Sequence, residues 1–229
     1  MTQPTTGAQL ASLPDTTSAI TELFFCFRVF PVTGKQNFGI NDVGNLDDCW
    51  EWLFGQFSAI FFQESWYNDE PFKDSPAYRL FNYNYRLLGR VSLRQVRVKK
   101  NSCKVPQAMQ LLVPACYAEY DDDPEIEDQE TYGPADAPFK WQSQEELKTR
   151  TYYGFYNSYG GGGYRVLLSN EAEATAAALT QLKNNKWLDE GTRALFVNAN
   201  MYVPALNNIA LVTYVIEFPA AGGVVMPQP

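Results

Sequence analysis

A chain of 229 residues with 45% hydrophobic and 15% aromatic content buries a substantial core, as one large domain or two small ones, and is not a disordered segment. Its 26 acidic against 18 basic residues leave a formal charge of −8, which repels phosphate backbones and gathers cations, so nucleic acid is not expected as a partner. The absence of histidine removes Ser-His and Cys-His nucleophile pairs, His-ligated zinc and the usual neutral-pH proton shuttle, and the chain is read as no enzyme, with no cofactor.

The first 16 residues are polar, rich in Thr, Gln and Pro, and read as a flexible N-terminal segment without a basic and apolar export signal. Residues 17–30 carry Ile20, Leu23, Phe24, Phe27 and Phe30 at helical spacing. Asn45 and the acidic Asp47-Asp48 offer an N-cap and first turn to a second helix, with Cys49, Trp50, Leu53, Phe54 and Phe57 on its apolar face. Apolar runs such as 59–62, 111–113 and 209–212 fall far short of the roughly 18–20 residues that cross a bilayer.

Residues 91–98 alternate apolar and polar as a half-exposed strand, with Arg90, Arg94, Arg97 and Lys99 forming a solvated basic face paired with acidic neighbours. The four cysteines, Cys26, Cys49, Cys103 and Cys116, are too widely spaced for a C-x-x-C metal or redox motif, which leaves disulfides or buried thiols. Cys26 and Cys49 lie on two helical turns that could touch, and for them both alternatives stand. The acidic run 121–128 lacks the glycine that an EF-hand turn needs at its sixth position, so it reads as a solvated, mobile loop that attracts cations.

Residues 152–164 hold five tyrosines and five glycines. Gly160–Gly163 are not followed by Lys-Ser/Thr entering a helix, so a phosphate loop is excluded, and the glycines read as positive-φ residues of a hairpin tip. Ser169 and Asn170 cap a helix, with Glu173 completing the box for Asn170, and Ala176, Leu179 and Leu182 facing inward. Trp187 then supplies an apolar anchor, Gly191 a kink, and Asp189 and Arg193 an ion pair or mutual hydrogen bonds. Residues 195–203 and 208–218 form an antiparallel pair around Pro204. Ile209, Leu211, Thr213 and Val215 lie on one face, and Ala210, Val212, Tyr214 and Ile216 on the other, which predicts a central strand.

Two motifs frame that pair of strands: Trp187-Leu188-Asp189-Glu190-Gly191-Thr192-Arg193-Ala194 before it and Glu217-Phe218-Pro219-Ala220-Ala221-Gly222-Gly223 after it. Together with Arg94-Gln95-Val96-Arg97-Val98, Tyr132-Gly133-Pro134, Trp141 and Tyr159–Tyr164, they resemble the extracytosolic domain of polycystin channels of the polycystin-2 type. The resemblance runs from about Thr17 to Val225. It implies an α+β fold, an antiparallel sheet with about three helices on one face and an excursion closed by a Cys103–Cys116 disulfide in an oxidising compartment. Residues 17–225 would be the domain inserted between the first and second transmembrane helices of a TRP-type cation channel, and 226–229 a tail; the membrane is reached through flanking helices outside the chain. The resemblance further implies a homotetramer or assembly with related polycystin subunits, control of gating above the pore, calcium transport at a cilium or plasma membrane, and extracellular protein partners. Trp187, Asp189, Gly191 and Arg193 become the structural motif, and Tyr132, Trp141, Tyr159, Gly161, Gly163 and Tyr164 the interaction hairpin tips. No N-x-[ST] glycosylation signal is present. The aromatic, acidic composition alone suggests a different class, a surface-binding or lectin-like module.

Overall fold

The computed structural model describes residues 39–66, 70–71, 80–81, 85–134 and 137–224; the expected helix at 17–30, the 1–16 segment and Cys26 lie outside them. Helix α1, Leu46–Trp52, starts where Asn45 accepts a hydrogen bond from the Asp48 N–H at 2.9 Å, the cap expected from its type. It runs through a π-helical turn, Leu53–Phe57, into α2, Ser58–Phe61. Cys49, Trp50, Trp52, Leu53, Phe57, Ile60 and Phe61 are buried along this rod. Phe54 is not part of that face. At helical pitch it lies roughly 100° from the centre of the stripe, and it sits outside with the Lys183 ammonium 5.7 Å from its ring.

The main sheet is antiparallel: β1 Leu80–Phe81, β2 Tyr85–Arg97, β3 Trp141–Gln142, β6 Gly163–Leu167, β7 Thr192–Val203 and β8 Asn208–Glu217. The order is β3-β6-β2-β7-β8, with β1 paired to the start of β2. A separate hairpin joins β4 Tyr152–Tyr153 to β5 Ser158–Tyr159. With the rod, a short helix α3 at Gln144–Leu147 and α4 at Ala172–Asn184, the fold is α+β, as expected.

Two cores lie on opposite faces of the sheet. On one face, Val91, Leu93, Leu195, Val197 and Ile216 pack with Trp52 and Phe57 of the rod and Leu179 and Leu182 of α4. On the other, Val96, Val98, Ala194, Phe196 and Val215 are covered by Tyr120 and Tyr159, which belong to the excursion between β2 and β6. Residues 91–98 are therefore buried on both faces instead of half exposed, and Arg94 and Arg97 are inside. The β8 strand is an edge of the sheet, not its centre. Its apolar residues face both ways because its C-terminal half is sandwiched between the two cores, whereas Ile209 and Leu211 near its start are exposed, Leu211 by 78%.

Helix α4 begins one residue later than its predicted Asn170 box. Glu171 occupies the cap position without a side-chain bond, Ser169 Oγ accepts from the Glu171 N–H, and Thr175, not Ala176, is the buried residue of the first turns. Thr175 Oγ1 donates to the Ser169 carbonyl at 3.0 Å, which takes a polar side chain inward at little cost.

Cys103 and Cys116 are joined, with 5.6 Å between their Cα atoms, and Cys49 is a buried free thiol. A disulfide closing a loop of this length restricts the unfolded chain by about 3 kcal/mol in the entropic view. Cys103→Ser is expected to lower the melting temperature by roughly 5–10 °C, a shift that circular dichroism would read directly.

Candidate functional site: a buried polar hub and three exposed apolar tips

The turn after α4 is held by its own side chains. Gly191 N–H donates to Asp189 Oδ1 at 2.9 Å, Asp189 N–H to Thr192 Oγ1 at 3.0 Å, and Thr192 N–H returns to the Asp189 carbonyl at 3.0 Å. Trp187, fully buried, donates its indole N–H to the Pro138 carbonyl at 2.7 Å. Its own carbonyl accepts from the Tyr132 hydroxyl at 2.7 Å and from the Gln95 amide. Gln95 also donates to Tyr132 and accepts from Thr192 Oγ1 at 3.0 Å.

Arg97 is the centre of this hub. Its Nη2 lies 2.9 Å from Asp189 Oδ2, its Nε 3.0 Å from Asp128 Oδ2, and its guanidinium 3.8 Å above the Tyr132 ring. Burial opposes the Arg97 charge, but the pull of Asp189, Tyr132 and Asp128 outweighs it and its pKa is raised. The expected Asp189–Arg193 ion pair is thus absent: Arg97, at the end of β2, takes the Asp189 carboxylate. Arg193 instead spends its donors on carbonyls, those of Ala118, Glu190 and Thr192 at 2.9 Å and Tyr117 at 3.2 Å, and so clasps the chain leaving Cys116. Gly191 does not adopt positive φ. It is glycine because a Cβ there would stand 3.0 Å from the Val98 carbonyl and 3.2 Å from Asp189 Oδ1, closer than side-chain carbons normally come.

Two further buried charges tie the excursion to the sheet. Arg94 stacks 3.9 Å from the Phe196 ring centre and donates to the carbonyls of Gly160 at 2.9 Å and Gly162 at 2.7 Å; burial lowers its pKa to about 10. Glu217, fully buried, accepts from the N–H groups of Phe155 at 2.8 Å and Tyr156 at 3.1 Å and from the Tyr159 hydroxyl at 2.9 Å. Sequence reasoning passed over Arg94, Gln95, Arg97 and Glu217 as functional positions. The available signal was an ionisable residue inside or at the end of a long apolar strand.

The residues expected at hairpin tips are mostly interior. Tyr159, Gly161, Gly163 and Tyr164 are buried, and Tyr132 and Trp141 are half-buried. Tyr164 presents its hydroxyl to the carbonyls of Asp128 at 2.9 Å and Glu130 at 2.6 Å. Of the four consecutive glycines only Gly163 has positive φ, at 134°. Any Cβ at Gly161 would meet Gln144, and one at Gly162 would meet Trp141, at 2.6 and 2.7 Å, so the strip is glycine to admit other side chains onto its backbone. The acidic run is ordered too: Glu127 pairs with Val98 as a β-bridge, Asp128 N–H donates to the Arg97 carbonyl, and Lys99 N–H to that of Ile126.

The tips that do protrude are others. Inside the disulfide loop, Leu111 is 97% exposed and Met109, Leu112 and Val113 stand beside it. The β4–β5 hairpin ends in Tyr153, 82% exposed, with Phe155 and Tyr156. Ile209 and Leu211 form the third patch, on the uncovered half of the second sheet face. Among the described residues no group of three or more Cys, Asp or Glu side chains is placed to hold a metal ion, and no helix is long and apolar enough to cross a membrane.

A match to the Polycystin domain family covers residues 39–228, the stretch that contains both cores, the hub and the protruding tips. The chain belongs to the polycystin family. Polycystin-2 of Danio rerio is 34% identical over 196 residues, 85% of this chain but 21% of the relative. Human Polycystin-2-like protein 1 is 31% identical over 80% of this chain and 22% of its own, and Polycystin-2 of Caenorhabditis elegans 31% over 79% and 25%. This polycystin domain thus spans about a fifth to a quarter of the length of these relatives.

Proposed function

We propose that this polycystin domain is the extracytosolic part of a cation channel, inserted as residues 17–225 between the first two transmembrane helices, where it assembles subunits and controls the gate. The observation that carries the reading is the family match over residues 39–228, joined to a domain that holds its own interior together by buried charges while pushing three apolar tips outward. Such tips cost free energy in water and mark contact surfaces. The disulfide fits an oxidising, extracellular or lumenal side, and a charge of −8 would enrich cations near a pore mouth. Its partners are copies of itself in a tetramer, or related polycystin subunits.

Charging the disulfide-loop tip separates assembly from folding. Leu111 and Leu112 touch little of their own domain, so Leu111→Asp with Leu112→Asp is expected to leave the melting temperature within about 2 °C. In the channel polypeptide that carries this domain, the same pair is expected to shift native-gel migration from tetramer to smaller species. A tetramer unaffected by both charges would count against the assembly role. A surface-binding module remains the second reading, favoured by the Tyr153, Phe155 and Tyr156 cluster; saturable binding of an outside protein, lost on Tyr153→Ser with Phe155→Ser, would support it.

A further inference from the structure

The second core contains a carboxylate that no cation among the described residues neutralises by direct contact. Glu127 is 3% exposed. Its Oε1 accepts from the Tyr120 hydroxyl at 3.1 Å and its Oε2 from the Gln129 amide at 2.8 Å. The same Tyr120 oxygen lies 3.5 Å from Asp122 Oδ1 and accepts from the Gly160 N–H at 3.2 Å. One phenolic proton therefore serves two carboxylates, and it can be donated to only one of them at a time.

The other groups facing Glu127 do not cancel its charge. From β2, Arg94 acts through space while its hydrogen bonds go to Gly160 and Gly162, and its Nε has no partner. From β3, the Trp141 indole N–H faces the carboxylate without closing a hydrogen bond. Tyr159 of β5 stacks on Tyr120, 5.2 Å between ring centres, but turns its hydroxyl to Glu217. Lys99 reaches the Pro124 carbonyl instead.

We propose that Glu127 and Asp122, bridged by the Tyr120 hydroxyl, form a proton-operated latch that fastens the 120–130 segment onto the glycine strip 160–163 more tightly in mild acid than at neutral pH. A single proton on Glu127 removes the buried charge and lets Glu127 donate to the Tyr120 oxygen, which frees the phenolic proton for Asp122, an exposed carboxylate that water otherwise serves. Burial, with Asp122 adding to it, pushes the Glu127 pKa above its ordinary value despite the opposing pull of Gln129, Tyr120 and the nearby Trp141 indole. With the folded pKa above the unfolded one, the stabilisation is complete below the unfolded value and is lost as pH rises through the folded value. The latch touches the exposed hairpin through Asn157, whose amide donates to the Tyr120 carbonyl at 2.7 Å. It stands independently of the assembly reading, since it concerns contacts within one domain.

The test is a titration of the wild-type chain, with the Glu127 carboxyl carbon followed by NMR, alongside melting of Glu127→Gln and Asp122→Asn. The expected Glu127 midpoint lies above the ordinary glutamate value of about 4.3, and it falls in Asp122→Asn. Glu127→Gln, which keeps an acceptor for Tyr120 and supplies its own donor, is expected to melt higher than wild type at about pH 7.5 and to lose the wild-type gain in melting temperature between about pH 7.5 and 5. A Glu127 midpoint at or below the ordinary value overturns the latch without needing any variant to fold. A midpoint that ignores Asp122→Asn overturns the shared proton.

Discussion

Replacing Trp187 by alanine is expected to cost about 3–5 kcal/mol, the range for emptying a fully buried aromatic site. The ring lies at the join of α4, the sheet and the Pro138 turn, and its loss strands the Pro138 carbonyl as well as leaving a void. At roughly 2–4 °C per kcal/mol for a chain of this size, the melting temperature should fall by roughly 10 °C or more. Under the proposed role, a channel bearing Trp187→Ala is expected to fail in assembly or surface delivery while any channels that arrive keep wild-type permeation ratios. Surface biotinylation and reversal potentials measure the two separately. Normal delivery with altered permeation would show that the turn acts on the pore and not on the fold.

The second large effect is expected at Arg97. Arg97→Met keeps much of the apolar stem but leaves the Asp128 and Asp189 carboxylates facing each other without their shared cation, and removing one partner from such a buried set costs about 3–5 kcal/mol. Arg97→Lys should recover little of this. A single ammonium cannot match a planar group that meets two carboxylates from two of its nitrogens while stacking on Tyr132. Denaturant midpoints would rank wild type first and place both variants well below; a loss under about 1 kcal/mol in Arg97→Met would mean that water repairs the hub.

Local chemistry was legible in the sequence where it is local. Asn45 caps α1, the strands on either side of Pro204 pair in the predicted register of faces, and the motif resemblance anticipated both the α+β fold and the Cys103–Cys116 bridge. What stayed hidden depends on cover supplied from far along the chain. Alternation in 91–98 puts Arg94 and Arg97 on opposite faces, but does not reveal that Gly160 and Gly162 would close over the first and Asp128, Tyr132 and Asp189 over the second and make both interior. The resemblance puts Tyr159 and Tyr164 at hairpin tips, yet their hydroxyls go to the buried Glu217 carboxylate and to the Asp128 and Glu130 carbonyls. Asp189 and Arg193 are close in sequence and so were paired, whereas β-pairing of β2 with β7 brings Arg97 nearer. The roles of the individual motif residues in assembly belong to the proposal, not to the fold.

The π-helical turn at Leu53–Phe57 gives the rod a reserve of length. A turn of this kind accommodates one residue more than an α-helix needs, without rotating the helix beyond it, and Ser58 Oγ donates to the Leu53 carbonyl at 2.6 Å within it. A deletion within α1 would swing every later side chain by about 100° and carry Ile60 and Phe61 out of the core. Deleting Gly55, which has nothing within 4 Å of its missing Cβ, would instead regularise the helix and leave both side chains where they are. A one-residue deletion in the rod is therefore expected to be tolerated at this turn and not in α1 before it.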